Sequence, residues 1–227
     1  MLISDVTYRV ASGANEWIKA LEFVNSEYKK AKLVSEKSKI RLTPYHLTPF
    51  SNVFIAENPD KAIISSASVI EDAGFGLPLE ATYTTEVSKK RLQGKRLTEI
   101  FCLASIKEPR VSGLDLFIGM CRIVTVYALQ RNQDELVIAV HPAHARLYKR
   151  LFNFKEFGPV SYYSSVQNAP AVALYLELSH LDALRPEYQK FLNDGKELYK
   201  GKLGRKLSAQ DCEILASLLE EKGVFDA

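Results

Sequence analysis

The run Leu97-Thr98-Glu99-Ile100-Phe101-Cys102-Leu103-Ala104-Ser105-Ile106 is the most strand-like in the chain, and with the helix and strand after it this run decides the fold. Pro109–Gly113 reads as a loop. From Leu114 to Gln130 the residues Leu114, Phe117, Ile118, Cys121, Thr125 and Ala128 recur on one stripe, which predicts a helix. Leu136–Val140 is a continuous apolar run, the pattern of a strand covered on both faces. Strand, helix, strand in this order implies parallel neighbours joined by a right-handed crossover.

Working outward from this unit, a short polar helix over Leu79–Gln93 precedes it and stops at Gly94, a plausible C-cap. Asn52–Ala56 and Ala62–Ile70 read as a hairpin, with Asn58-Pro59-Asp60 as its turn. Ser35–Phe50 holds two prolines and reads as a covering loop. Ala14–Leu33 carries Trp17, Ala20, Leu21, Val24 and Tyr28 at helical spacing, and Val6–Val10 alternates as a short strand. On the other side come a short helix over Ala143–Phe152 and two strands near Lys155–Tyr163 and Ala171–Leu178. Leu181–Leu203 and Ser208–Lys222 are charged, helix-like segments, each too short to stand alone. The chain thus divides into one mixed α/β domain, residues 1–179, and a C-terminal helical extension, residues 180–227.

At 227 residues, 47% apolar and 25% charged, the chain can bury a core without metals or disulfides. A net charge of +3 does not point to nucleic acid. Five of the eight residues 89–96 are basic (Lys89, Lys90, Arg91, Lys95 and Arg96), a local patch suited to something acidic. Three cysteines without a CxxC spacing make neither a disulfide framework nor a zinc signature. The N-terminus shows no signal-peptide pattern and no run of 18 apolar residues occurs, so a cytoplasmic chain without a transmembrane segment is expected.

Several motifs narrow this reading: Pro44-Tyr45-His46-Leu47, Val53-Phe54-Ile55-Ala56, Gly76-Leu77-Pro78-Leu79, Lys95–Ile100, Ala139–Tyr148 and Asn168–Leu174. Together with the element order they resemble the N-acyl amino acid synthase branch of the GCN5-related N-acetyltransferase (GNAT) superfamily, itself similar to the acyl-homoserine lactone synthases. The resemblance covers roughly residues 6–179. It implies a GNAT-like, mostly antiparallel central sheet flanked by helices. It also implies acyl transfer from an acyl-carrier-protein thioester to the α-amine of an amino acid, with no tightly bound cofactor. CoA-using members carry a glycine-rich pyrophosphate loop; here the matching segment, Glu108–Asp115, keeps only Gly113. That favours the single phosphodiester of a carrier-protein phosphopantetheine arm, held by Arg110, Ser112 and Gly113, over acyl-CoA.

Aminolysis of a thioester needs a base for the amine, donors for the oxyanion and an acid for the leaving thiolate. Glu99, placed by strand alternation on one face with Phe101 and Leu103, is the candidate base, because apolar surroundings raise a carboxylate's pKa. The alternative is an edge-strand glutamate facing water. Tyr148 matches the superfamily tyrosine near the thioester sulfur; the alternative is a ring packed on the sheet. The fold resemblance implies oxyanion donors on the backbone around Leu103, Ala104 and Ser105. His141 and His144 flank Pro142 without a clear third ligand, so one of them is expected to order this junction or line the acceptor site, with no metal. His46 is either a cover over the acyl tunnel or an exposed turn residue. Lys89, Lys90, Arg91, Lys149 and Arg150 are the candidate docking surface for the acidic carrier, with a solvated helix face as the alternative. A CoA-dependent N-acetyltransferase and a non-catalytic module on the same scaffold are the competing readings.

Overall fold

The computed structural model describes residues 6–109, 111–183, 189–190, 192–195, 204 and 207–221. The elements run β1 (Thr7–Val10), α1 (Gly13–Lys30), β2 (Ser51–Glu57), β3 (Ile63–Glu71), α2 (Glu80–Leu92), β4 (Leu97–Ser105), α3 (Gly113–Gln130), β5 (Glu135–Val140), α4 (Pro142–Phe152), β6 (Lys155–Glu156), β7 (Ser161–Tyr163), β8 (Ala169–Glu177) and α5 (Ala209–Glu221). The strands form one eight-stranded sheet in the order β1-β2-β3-β4-β5-β8-β6, with β7 also on β8. Among the described strands only β4 and β5 are parallel, and α3 makes the crossover between them.

Alternation along the strands builds the two faces. Phe54, Val69, Ile100, Leu136, Ile138, Val172 and Leu174 pack against α3 and α4. Val53 and Ile55 turn the other way, onto α1. Ile70, Leu97, Val137 and Ala173 share that second face and pack on α2. Covered on both sides, the middle strands are buried nearly throughout.

Two expectations change. Leu114, assigned to the buried stripe, is exposed in the first turn of α3, whose core contacts are Leu116, Met120, Ile123, Val124 and Tyr127. By length and composition α3 could cross a membrane, but it is mostly buried and serves as the core helix. The single strand expected over Lys155–Tyr163 is two, interrupted at Gly158-Pro159. There the Tyr83 ring lies 2.7 Å from where a Cβ on residue 158 would stand, and the Tyr83 hydroxyl donates to the Ala171 carbonyl at 2.8 Å, with the Pro159 carbonyl 3.1 Å away. The helix expected over Leu181–Leu203 falls largely outside the described residues.

The second C-terminal helix is integral to the α1 face. Leu215 of α5 joins Trp17, Leu21, Ile40, Val53 and Ile55 in one cluster. Ser12, at the N-cap of α1, makes no side-chain cap. Instead Asp211 Oδ1 accepts from the Ala14 N–H at 2.7 Å, satisfying a helix-terminal donor from 197 residues away.

Candidate active site

β4 and β5 pair at only three positions, Leu97↔Glu135, Thr98↔Leu136 and Glu99↔Val137, and then part. β4 bulges at this point: Ser68 faces Phe101 and Ser66 faces Ala104, so three steps on β4 oppose two on β3, with Cys102 at φ 51°. β5 meanwhile stays on β8 as far as Val140↔Val172. The parting opens a cavity of about 560 Å³ that passes through the sheet. Tyr45, Pro78, Glu99 and Phe101 line it from the α2 side, and Ile100, Leu103, Ile138 and Tyr148 from the α3–α4 side.

Glu99 is 1% exposed. Its Oε2 accepts the Leu79 N–H at 2.9 Å. Burial pushes its pKa well above the usual carboxylate range; the Leu79 hydrogen bond opposes this and the neighbouring charge of Glu80 adds to it. Phe101 shares its face as expected, but Leu103 does not, because the bulge turns Leu103 toward α3 and α4.

Tyr148 of α4 is buried, its ring edge-on to Phe117 and Phe154 at 5.0 and 5.4 Å. Its hydroxyl has no hydrogen-bond partner among the described residues. Burial holds the phenol pKa well above its ordinary value, with Cys121 and Tyr28 adding to the shift. The phenol therefore stays protonated and can donate.

The sequence profile of the N-acyl amino acid synthase FeeM family matches residues 19–177. The chain belongs to this family. FeeM, an N-acyl amino acid synthase from uncultured soil microbes, is similar in structure at 25% identity and a TM-score of 0.70, over 82% of this chain and 97% of that one. The AHL synthase LasI (16% identity, TM-score 0.60, 88% of this chain and 98% of that one) and the CoA-dependent acyl-homoserine lactone synthase BjaI (12%, 0.55, 94% and 99%) share the fold. No sequence among the curated proteins matches. Family and fold make the chain a GNAT-fold N-acyltransferase.

Within this synthase-family site, the other sequence candidates fall in different places. His141 and His144 stand at the cavity wall, ring centroids 6.1 Å apart, and His141 Nδ1 caps α4 by accepting the Ala143 N–H at 3.2 Å. Among the described residues no group of three or more His, Cys, Asp or Glu could hold a metal ion. His46 is neither a lid nor exposed. It is fully buried, with Nδ1 accepting the Thr43 N–H at 3.1 Å and Nε2 3.0 Å from Ser68 Oγ. That pins the turn Pro44–Leu47, which carries Tyr45 to the cavity.

Ala104 and Ser105, expected beside Leu103 as oxyanion donors, lie beyond the cavity lining. The Ser65 hydroxyl donates to the Ala104 carbonyl at 3.0 Å and lies 2.8 Å from Ser105 Oγ. The strands separate sooner than expected, so the lining stretch of β4 is Glu99–Leu103. Ser112 and Gly113 open α3, where Ser112 Oγ accepts the Asp115 N–H at 3.0 Å; Arg110 lies outside the described residues.

The basic patch is largely neutralised within the fold. Lys90 is buried, its Nζ 2.5 Å from Glu135 Oε2 though off the line of a hydrogen bond, and 3.4 Å from the centre of the Tyr175 ring. Burial removes it from any docking surface. Arg91 is forked to Asp72 and Glu80. Lys149 pairs with Glu156, whereas Lys89, Arg146 and Arg150 are exposed.

Sequence reasoning missed Tyr28, Arg41 and Tyr163, all of which line the cavity. Tyr163 ends β7 and carries no local signal, since only the fold brings it beside Glu99. Its phenol is raised well above normal, first by burial and then by Glu99 and Cys102, with Arg41 opposing.

Proposed function

We propose that this N-acyltransferase moves a long-chain fatty acyl group from an acyl-carrier-protein thioester to the α-amine of an amino acid. The observation that carries this is the buried carboxylate of Glu99, the only one among the described residues lining a largely apolar cavity where the central strands part. The ionised form of Glu99 takes a proton from the acceptor's amine, and the nitrogen attacks the thioester carbonyl carbon. The oxyanion then rests on backbone N–H groups of β4 between Ile100 and Leu103, on the edge no longer paired to β5. As the amide forms and the C–S bond breaks, the Tyr148 hydroxyl donates to the leaving sulfur, which departs as the thiol. The products are the N-acyl amino acid and the free phosphopantetheine thiol.

A cavity of about 560 Å³ is within the range of small-molecule sites and suits a chain-like, apolar substrate. On the donor side, the phosphopantetheine arm passes the N-terminus of α3 at Ser112 and Gly113. The exposed Lys89, Arg146 and Arg150, with Lys149 when released from Glu156, steer an acidic carrier toward the cavity mouth. Purified protein supplied with dodecanoyl thioesters of acyl carrier protein or of CoA, and with the twenty amino acids, tests this by mass spectrometry. N-acyl amino acids formed from the carrier thioester support the reading. Product from CoA alone would reassign the donor, and no product from either would refute the proposal.

A further inference from the structure

Arg41 is a cation on the cavity wall without a counter-ion among the described residues. The four arginines Arg9, Arg91, Arg96 and Arg131 each pair with at least one carboxylate. Arg41 lines the cavity, and no described carboxylate pairs with it. A guanidinium has five N–H donors in a rigid fork. Arg41 spends one on a protein acceptor: Nη2 donates to the Ser165 carbonyl at 2.6 Å. Its Nε is buried and has no partner among the described residues. The fork is nonetheless held in place, because its carbon lies 5.8 Å from the centre of the Tyr28 ring.

A positioned cation with idle donors on the wall of a largely apolar cavity is incomplete, and an anion completes it. A purely mechanical role, tying the Ser165 loop to the residues after α1, uses a single N–H and leaves the Nη1 donors without an acceptor among the described residues. Glu99 is the only carboxylate among the described lining residues and is not paired with Arg41, so a ligand is the source left for the anion. Glu99, Arg41 and Tyr163 all line the same cavity. An α-amino acid presents an amine and a carboxylate one carbon apart.

Resting on the acyl-transfer reading above, we propose that Arg41 is the carboxylate subsite for the acceptor. It binds the acceptor's α-carboxylate while Glu99 faces the amine. The enzyme thereby selects amines that bear a neighbouring acid and discriminates against amides and simple amines. Loss of a hydrogen-bonded ionic contact of this kind corresponds to a roughly 10- to 100-fold change in binding.

Steady-state kinetics with an accepted amino acid and with its primary amide test the proposal on the full chain, alongside Arg41→Met and Arg41→Lys. The wild type is expected to favour the acid by roughly 10- to 100-fold in kcat/KM. Arg41→Met should raise KM for the acid by a similar factor, leave the amide unchanged and leave the donor KM unchanged. Arg41→Lys, which keeps the charge but loses the fork, should fall between, and carries the comparison if the Met variant does not fold. Equal use of acid and amide by the wild type overturns the proposal, as does a Met variant slowed equally with both acceptors. A raised donor KM with both acceptors also overturns it, by assigning Arg41 to the donor's phosphate. If the wild type acylates no amine, the acyl-transfer reading falls by itself. Titration calorimetry with N-dodecanoylglycine and N-dodecanoylglycinamide then decides the carboxylate subsite independently: a preference for the acid lost in Arg41→Met supports it, and equal binding overturns it.

Discussion

Replacing Glu99 by Gln should weaken catalysis and strengthen the fold, with a pH dependence set by burial. Gln has nearly the same shape and its side-chain oxygen can still accept the Leu79 N–H, so the substitution mainly removes a titratable proton. In the folded protein the Glu99 pKa lies well above 4.5, its ordinary value, chiefly through burial. The folded state therefore binds more protons than the unfolded state at any pH between the two values. Below 4.5 both states are protonated and Glu99 imposes no ionic penalty. As pH rises from there toward the folded value, wild-type stability falls by up to ~1.4 kcal/mol per pH unit, a slope the Gln variant lacks. Urea unfolding of both proteins at a series of pH values from 5 to 8 isolates this slope, since the other titrating groups cancel in the difference. The variant's advantage should grow with pH while its turnover drops by roughly 10²–10⁴, the range for a lost general base. Wild-type activity should rise with pH through the folded pKa as Glu99 ionises. Parallel stability curves would refute the raised pKa, and undiminished turnover would refute its role as the base.

Tyr148→Phe removes a buried hydroxyl that has no partner among the described residues, so unfolding should be unchanged or slightly harder while turnover falls about 10- to 100-fold; thermal melts and single-turnover rates measure the two effects separately. Lys90→Met strands the buried Glu135 carboxylate and should cost about 3–5 kcal/mol in urea unfolding, most of it recovered by adding Glu135→Gln. The double variant should leave the KM for the carrier thioester unchanged, because Lys90 lies inside the protein; a raised KM would return it to the docking surface.

Local pattern was enough for the element order as far as α4 and for the parallel pair around α3, because the period of the apolar residues fixes which strand and helix faces must leave water. For Glu99 it left two positions open, enclosed among apolar neighbours or facing water from an edge strand, and the fold decided for burial. Motifs near Tyr45, Glu99 and Tyr148 likewise pointed to the family, which the profile match established independently.

Other features depended on packing. Simple alternation put Leu103 beside Glu99, but one extra residue in the β4 bulge turned it to the opposite face, and a bulge depends on the partner strand. Ala104 and Ser105 were displaced from the cavity because the strands separate after Glu99, a distance no spacing rule encodes. The basic run at 89–96 is a patch in one dimension, but in the fold Lys90 meets Glu135 and Arg91 meets Asp72 and Glu80. Arg41 carries no distinguishing neighbour in the chain. Its interest lies in the carboxylate that the described residues around it do not supply, and that absence is visible only once the fold brings those residues together.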